Sequence, residues 1–175
     1  MVEVGRLLAL QQVRVATGGF GGIGMEAPAR GAKEVGGQTI GYTMWDMPGN
    51  EFLTIPFDCS ELTRTTLPSK EVQFGLRLGM LMSADGFIIA LDSYGPGTIM
   101  EFLAIINLNL KLWVPRGKPK RFAVLQLNVS PTLNQENQGN SLAGNLIGQD
   151  LWGKINEHCL VTPSPENAVK WVLGD

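Results

Sequence analysis

His158 is the only histidine in the 175 residues, and Cys59 and Cys159 are the only cysteines. That supply is too small for a His/Cys zinc site. Two cysteines so far apart also exclude a disulfide-stapled secreted scaffold, and both are read as reduced and buried. Charged residues make up only 17% of the chain against 44% apolar, below the roughly 25% charge of an average soluble domain. This balance excludes a disordered chain and implies a surface partly covered by partners. The net charge of −2 supplies no basic surplus, so any contact with RNA is expected to be local or weak. Long apolar runs are missing as well: the most apolar stretch, 102–114, is broken by Asn107, Asn109 and Lys111. Neither a membrane span nor the cationic-then-apolar order of a signal peptide is expected. What the chain has in quantity is punctuation, 22 glycines and 10 prolines, and that favours frequent turns and a β-rich fold.

Period-two alternation of apolar and polar residues marks strands with one buried face. It is clearest over 72–82 (Val72, Phe74, Leu76, Leu78, Met80, Met82) and over 106–114 (Ile106, Leu108, Leu110, Leu112, Val114). Weaker alternations cover 52–57, 122–129, 38–46 and 6–15. The apolar run 87–91 follows Asp85-Gly86, a dipeptide suited to a tight hairpin, so 72–82 and 87–91 are expected to pair antiparallel. Helix is expected at 165–173, with Ser164 as N-cap, Pro165 in the first turn and Gly174 as terminator, and as one turn at 60–65. Segments 17–37 and 131–145 read as long loops. The sum is one all-β domain over residues 1–175, a jelly-roll β-sandwich with short helices.

No constellation of catalytic residues emerges, and the chain is read as a non-enzyme with no catalytic, cofactor-binding or metal site. Gly19, Gly21 and Gly24 match GxGxxG, but Pro28, Gly31, Gly36 and Gly37 argue against the helix that a dinucleotide fingerprint needs, so the motif reads as a surface loop. His158 stands alone, and the apolar sequence around each cysteine predicts an inert thiol. Asp85 and Asp92 read as turn residues rather than a glycosidase pair. The sequon 128–130 lies in an expected strand and is discounted. Arg116, Lys118, Lys120 and Arg121 form one basic cluster between expected strands. Contact with RNA or another anion, simple solvation, and contact with an acidic neighbouring subunit all remain open for it. Trp45, Trp113, Trp152 and Trp171 are candidate interface anchors, with core packing equally open.

Segment 72–96, VQFGLRLGMLMSADGFIIALDSYGP, resembles the central hairpin of picorna-like viral coat proteins, and 120–134, KRFAVLQLNVSPTLN, is similar to a late strand of the same proteins. The short length and the lack of a basic arm look like one of the three coat proteins of the plant secovirus family, cheravirus group, and most like the small middle one. The resemblance implies a structural capsid subunit, assembled in the host cytoplasm into a virion with two companion coat proteins and with copies of itself. It would close a pseudo-T=3 icosahedral shell over genomic RNA, itself contacted weakly or indirectly, with no membrane and no cofactor. The alternative is a monomeric β-sandwich that binds carbohydrate in the manner of a lectin.

Overall fold

The computed structural model describes residues 1–19, 24–44, 59–63, 69–91, 95–126 and 148–175. The chain alternates helix and strand: α1 (Val2–Leu10), β1 (Val15–Thr17), α2 (Glu26–Glu34), β2 (Thr39–Met44), β3 (Cys59–Thr63), α3 (Lys70–Met82), β4 (Phe87–Ala90), α4 (Pro96–Leu108), β5 (Phe122–Leu125), α5 (Gln149–Ile155), β6 (Cys159–Thr162) and α6 (Pro165–Leu173). All the strand pairs described are parallel, in the orders β1-β2-β3 and β4-β5-β6. The architecture is α/β, and the all-β jelly roll is overturned. Parallel neighbours need a crossover of a dozen or more residues, usually a helix, and a jelly roll has none to offer. The chain forms two compact units, residues 1–84 and 85–175.

In the first unit α1 and α2 lie backbone against backbone. A Cβ on Gly5 would stand 1.8 Å from the Pro28 carbonyl oxygen, and one on Gly31 would stand 1.8 Å from that of Val2. Val4, Ala29 and Ala32 fill the seam and are buried. Segment 17–37 is therefore not one long loop. Pro28 is the third residue of α2, inside the first turn, where a missing N–H costs nothing, and Gly31 is there for close approach rather than to break the helix. Likewise 6–15 is not a strand, because its first half is the last part of α1. The reading of 38–46 holds over β2. Residues 60–63, expected to be helical, belong to β3.

The strand expected at 72–82 is α3. Ser69 caps it, its hydroxyl oxygen accepting from the Val72 amide at 3.3 Å. The alternation misleads because a helix sorts the same residues by a period of 3.6. Gln73, Arg77 and Met82 become buried, while Val72 and Leu76 stay exposed at 46% and 48%. Residue 87 onward does form a strand, but β4 pairs with β5 in parallel, Phe87 opposite Phe122, so no hairpin forms at Asp85-Gly86. Gly86 is required by space: a Cβ there would lie 2.4 Å from Val172 Cγ1.

The strand expected at 106–114 is the end of α4 and a wide π-helical turn, Asn109–Trp113. Phe102, Ile105, Ile106 and Asn109 all face the core. Asn109 is tolerated there because its side chain imitates a strand neighbour. Its amide donates to the Lys120 carbonyl at 3.2 Å, and its Oδ1 accepts from the Lys120 amide at 3.0 Å. β5 has no polar face: all four of its residues are buried, as expected of a central parallel strand covered on both sides. Phe102 meets Phe122 edge to face with centroids 6.3 Å apart. The helix at 165–173 is as expected, with Ser164 Oγ accepting from the Asn167 amide and Gly174 at φ +90. The strand expected at 52–57, the final residues 127–129 of another and the loop 131–145 lie outside the described residues.

Three substitutions test these packing arguments by urea unfolding. Gly31→Ala should cost about 3 kcal/mol, since the backbone of α1 must move. Gly75→Ala on α3, where a Cβ meets nothing within 4 Å, should instead stabilise by about 0.5–1 kcal/mol. Asn109→Ala should cost about 2–4 kcal/mol, because both Lys120 backbone groups lose their partner.

Candidate functional site

In parallel α/β sheets ligands gather beyond the C-terminal ends of the strands. In the first unit β1 ends at Thr17 and runs into Gly18 and Gly19. The Thr17 hydroxyl oxygen accepts from the Gly19 amide at 3.2 Å, and Gly19 sits at φ +75, a left-handed conformation that glycine adopts without strain. Arg77, projecting from α3 and only 6% exposed, reaches across this end of the sheet. Its Nε donates to the Tyr42 carbonyl at 2.9 Å and its Nη2 to the Gly18 carbonyl at 3.4 Å. Any side chain at position 18 would collide with it: a Cβ there would stand 2.1 Å from Arg77 Nη2 and 2.7 Å from Met25 Sδ. The two carbonyls anchor the guanidinium at this end of the sheet.

One helical turn before Arg77, on the same buried face, Gln73 is 6% exposed, and its Oε1 has no hydrogen-bond partner among the described residues. A buried acceptor left in this state costs about 1–3 kcal/mol. Glu26 opens α2 directly after the glycine loop and is 6% exposed, ion-paired to Arg30 one turn on. A strand precedes Gly19 and a helix follows Gly24, so the helix that Pro28 and Gly31 argue against is present, while residues 20–23, Gly21 among them, lie outside the described residues.

In the second unit β4 leads to the N-terminus of α4. Gly95 is its N-cap in extended conformation and Pro96 its first residue, with no side-chain cap. A Cβ on Gly95 or Gly97 would meet nothing within 4 Å among the described residues. α6 differs, because Ser164 caps its N-terminus and donates to Glu166.

The residues singled out from sequence fall elsewhere. Arg116, Lys118, Lys120 and Arg121 precede β5, at the strands' N-terminal ends. Trp113 stacks on Phe87 at 5.9 Å, Trp152 is 5% exposed in the core, and the Trp171 indole N–H donates to the Phe122 carbonyl at 3.1 Å. Trp45 and Asp92 lie outside the described residues. Cys159 is buried, and burial pushes its thiol far above the usual range, which fits the inert thiol expected. Gly18, Gln73, Arg77 and the Gly95-Pro96-Gly97 turn were missed. The signal is there for the glycines, a β-prone Val-Ala-Thr followed by Gly-Gly, but nothing local marks Arg77 or Gln73.

Two solved structures share this fold. One is the molybdenum cofactor binding protein from the phototrophic bacterium Rippkaea orientalis, with a TM-score of 0.59 at 21% identity over 99% of this chain and 83% of that one. The other is the molybdenum cofactor carrier protein MCP from Chlamydomonas reinhardtii, with a TM-score of 0.52 at 18% identity over 99% and 85%. No curated protein sequence matches the chain. These likenesses and the parallel sheets overturn the coat-protein resemblance and the lectin-like alternative together. With them go the companion coat proteins, the icosahedral shell over RNA and the virion location, since each rested on the jelly roll. The model of the SLOG cluster4 family matches residues 1–138, and this chain belongs to that family.

Proposed function

We propose that the chain binds a phosphate-bearing pterin cofactor of the molybdenum type as cargo, and holds it rather than transforming it. The observation that carries this reading is the Arg77 brace: a buried guanidinium fixed at the end of a parallel sheet, against a glycine loop that admits no side chain. Such a loop lets backbone come close to an anion, and the planar fork of arginine suits phosphate oxygens. The neighbouring Gln73 Oε1, an acceptor without a partner among the described residues, suits the N–H donors of a pterin ring. When bound, the cargo would supply the metal chemistry of whichever enzyme receives it. The likeness to two proteins named for molybdenum cofactor binding and carriage supports this choice among phosphate-bearing ligands. In the second unit the N-terminus of α4, whose N-cap Gly95 has no side chain to cap it, carries the partial positive charge of its helix and suits a phosphate group as well.

The protein's roles are to bind, to orient and to exclude water. Arg77 would place the phosphate, Gln73 would select a ring with N–H groups, and Gly18 and Gly19 would set the depth of approach. The test is to express the chain in a host that makes the cofactor, purify it, and read bound pterin by the fluorescence of its oxidised form. Pterin retained by the wild type and lost from Arg77→Met is the expected result. Removing a charge-assisted contact should weaken binding about 10- to 100-fold, while Arg77→Lys should keep part of it. Retention that is absent in the wild type, or unchanged in Arg77→Met, overturns the reading.

Gln73→Leu separates binding from folding. Removing an orphaned acceptor should raise stability by about 1 kcal/mol in urea unfolding while lowering pterin retention. A loss of stability would show that Gln73 serves the core alone.

A further inference from the structure

The basic cluster before β5 is not a loose loop. After the π-helical turn the chain closes in a hydrogen-bonded reversal: the Arg116 amide donates to Trp113 O at 3.2 Å, Gly117 to Val114 O at 2.9 Å and Lys118 to Trp113 O at 2.9 Å. Gly117 takes the left-handed conformation at φ +65, and Pro115 and Pro119 flank the reversal. Asn109 then clamps Lys120 through both of its backbone groups.

The cations divide into two kinds. Lys120 and Arg121 fold back onto aromatic rings: Lys120 Nζ lies 4.5 Å from the Trp113 centroid and 5.7 Å from that of Phe87, and the Arg121 guanidinium lies 5.5 Å from the Trp171 centroid. Desolvation there holds the Lys120 ammonium below its ordinary range, partly offset by Asp85. Arg116 and Lys118, with Lys111 on the π-helical turn, are exposed and have no ion-pair partner among the described residues.

We propose that this turn is a docking site for an acidic, Asp- or Glu-rich segment of a partner protein, with Arg116 and Lys118 as the principal contacts and Lys111 beside them. Charge complementarity selects the occupant, and the preformed turn spares the ordering cost that a flexible loop would incur on binding. Single-stranded nucleic acid suits the surface less well, because it stacks bases on free aromatic faces, and here Trp113 and Trp171 already carry Phe87, Lys120 and Arg121. The surface is in the second unit and the inference is independent of the cofactor reading.

The experiment is fluorescence anisotropy of a labelled short polyglutamate peptide titrated with the full chain, beside a polyuridine of equal length and an uncharged Gly-Ser peptide. The expected result is salt-sensitive binding of polyglutamate in preference to both others, reduced roughly tenfold or more in the double variant Arg116→Glu, Lys118→Glu. Both side chains are exposed, so the variant should melt with the wild type, and circular dichroism checks that it does. Equal binding of the peptide by the charge-reversed variant, no binding by the wild type, or tighter binding of polyuridine would each overturn the proposal.

Discussion

Hydrogen bonding between parallel strands is the constraint from which the rest of this structure follows. A strand that pairs in parallel with the next must first be carried back along the sheet, and the economical carrier is a helix. Between β1 and β2 that carrier is α2, and between β4 and β5 it is α4 with its π-helical turn. In each unit the same requirement sets all the strand C-terminal ends along one edge, so that glycine loops and helix N-termini collect there. The close seam of α1 on α2, which only glycine at positions 5 and 31 permits, holds the first crossover in place.

Three buried polar side chains then do what apolar packing cannot. Asn109 supplies a donor and an acceptor to the chain ahead of β5 and fixes where that strand begins. Arg77 ties α3 to the ends of β1 and β2. Gln73 keeps an acceptor without a partner among the described residues. The first two are satisfied and position the backbone. The third costs stability, and it is the group that the proposed cofactor site would put to use. The two ends of the strands are also chemically distinct: glycine and helix amides at the C-terminal ends, and in the second unit cations laid over aromatic rings at the N-terminal end.

Parts of this were legible in the chain alone. The helix at 165–173 with both caps, the strand within 38–46, the strands starting at 87 and 122 and the buried Cys159 all rest on local signals, namely a capping serine, a terminating glycine and β-prone runs. α3 and the end of α4 were misread because V-Q-F-G-L-R-L-G-M alternates by twos and also satisfies a helix. Only Ser69 in front of the first and the Gly95-Pro96 pair in front of the second marked them as helices. α2 is hidden in the sequence because Pro28 and Gly31 look like helix breakers, whereas one occupies the first turn and the other a helix contact.

The amino-acid sequence by itself determined composition, a supply of one histidine and two cysteines, and those elements whose ends carry their own caps. Tertiary structure decided the rest, because pairing direction and burial are properties of neighbours. Whether an alternating run becomes a strand or a helix depends on the surface it must cover. Arg77 comes to Gly18 only once the parallel sheet has brought the ends of β1 and β2 beside α3, across 59 positions of chain. No local pattern encodes that meeting, and the candidate site depends on it.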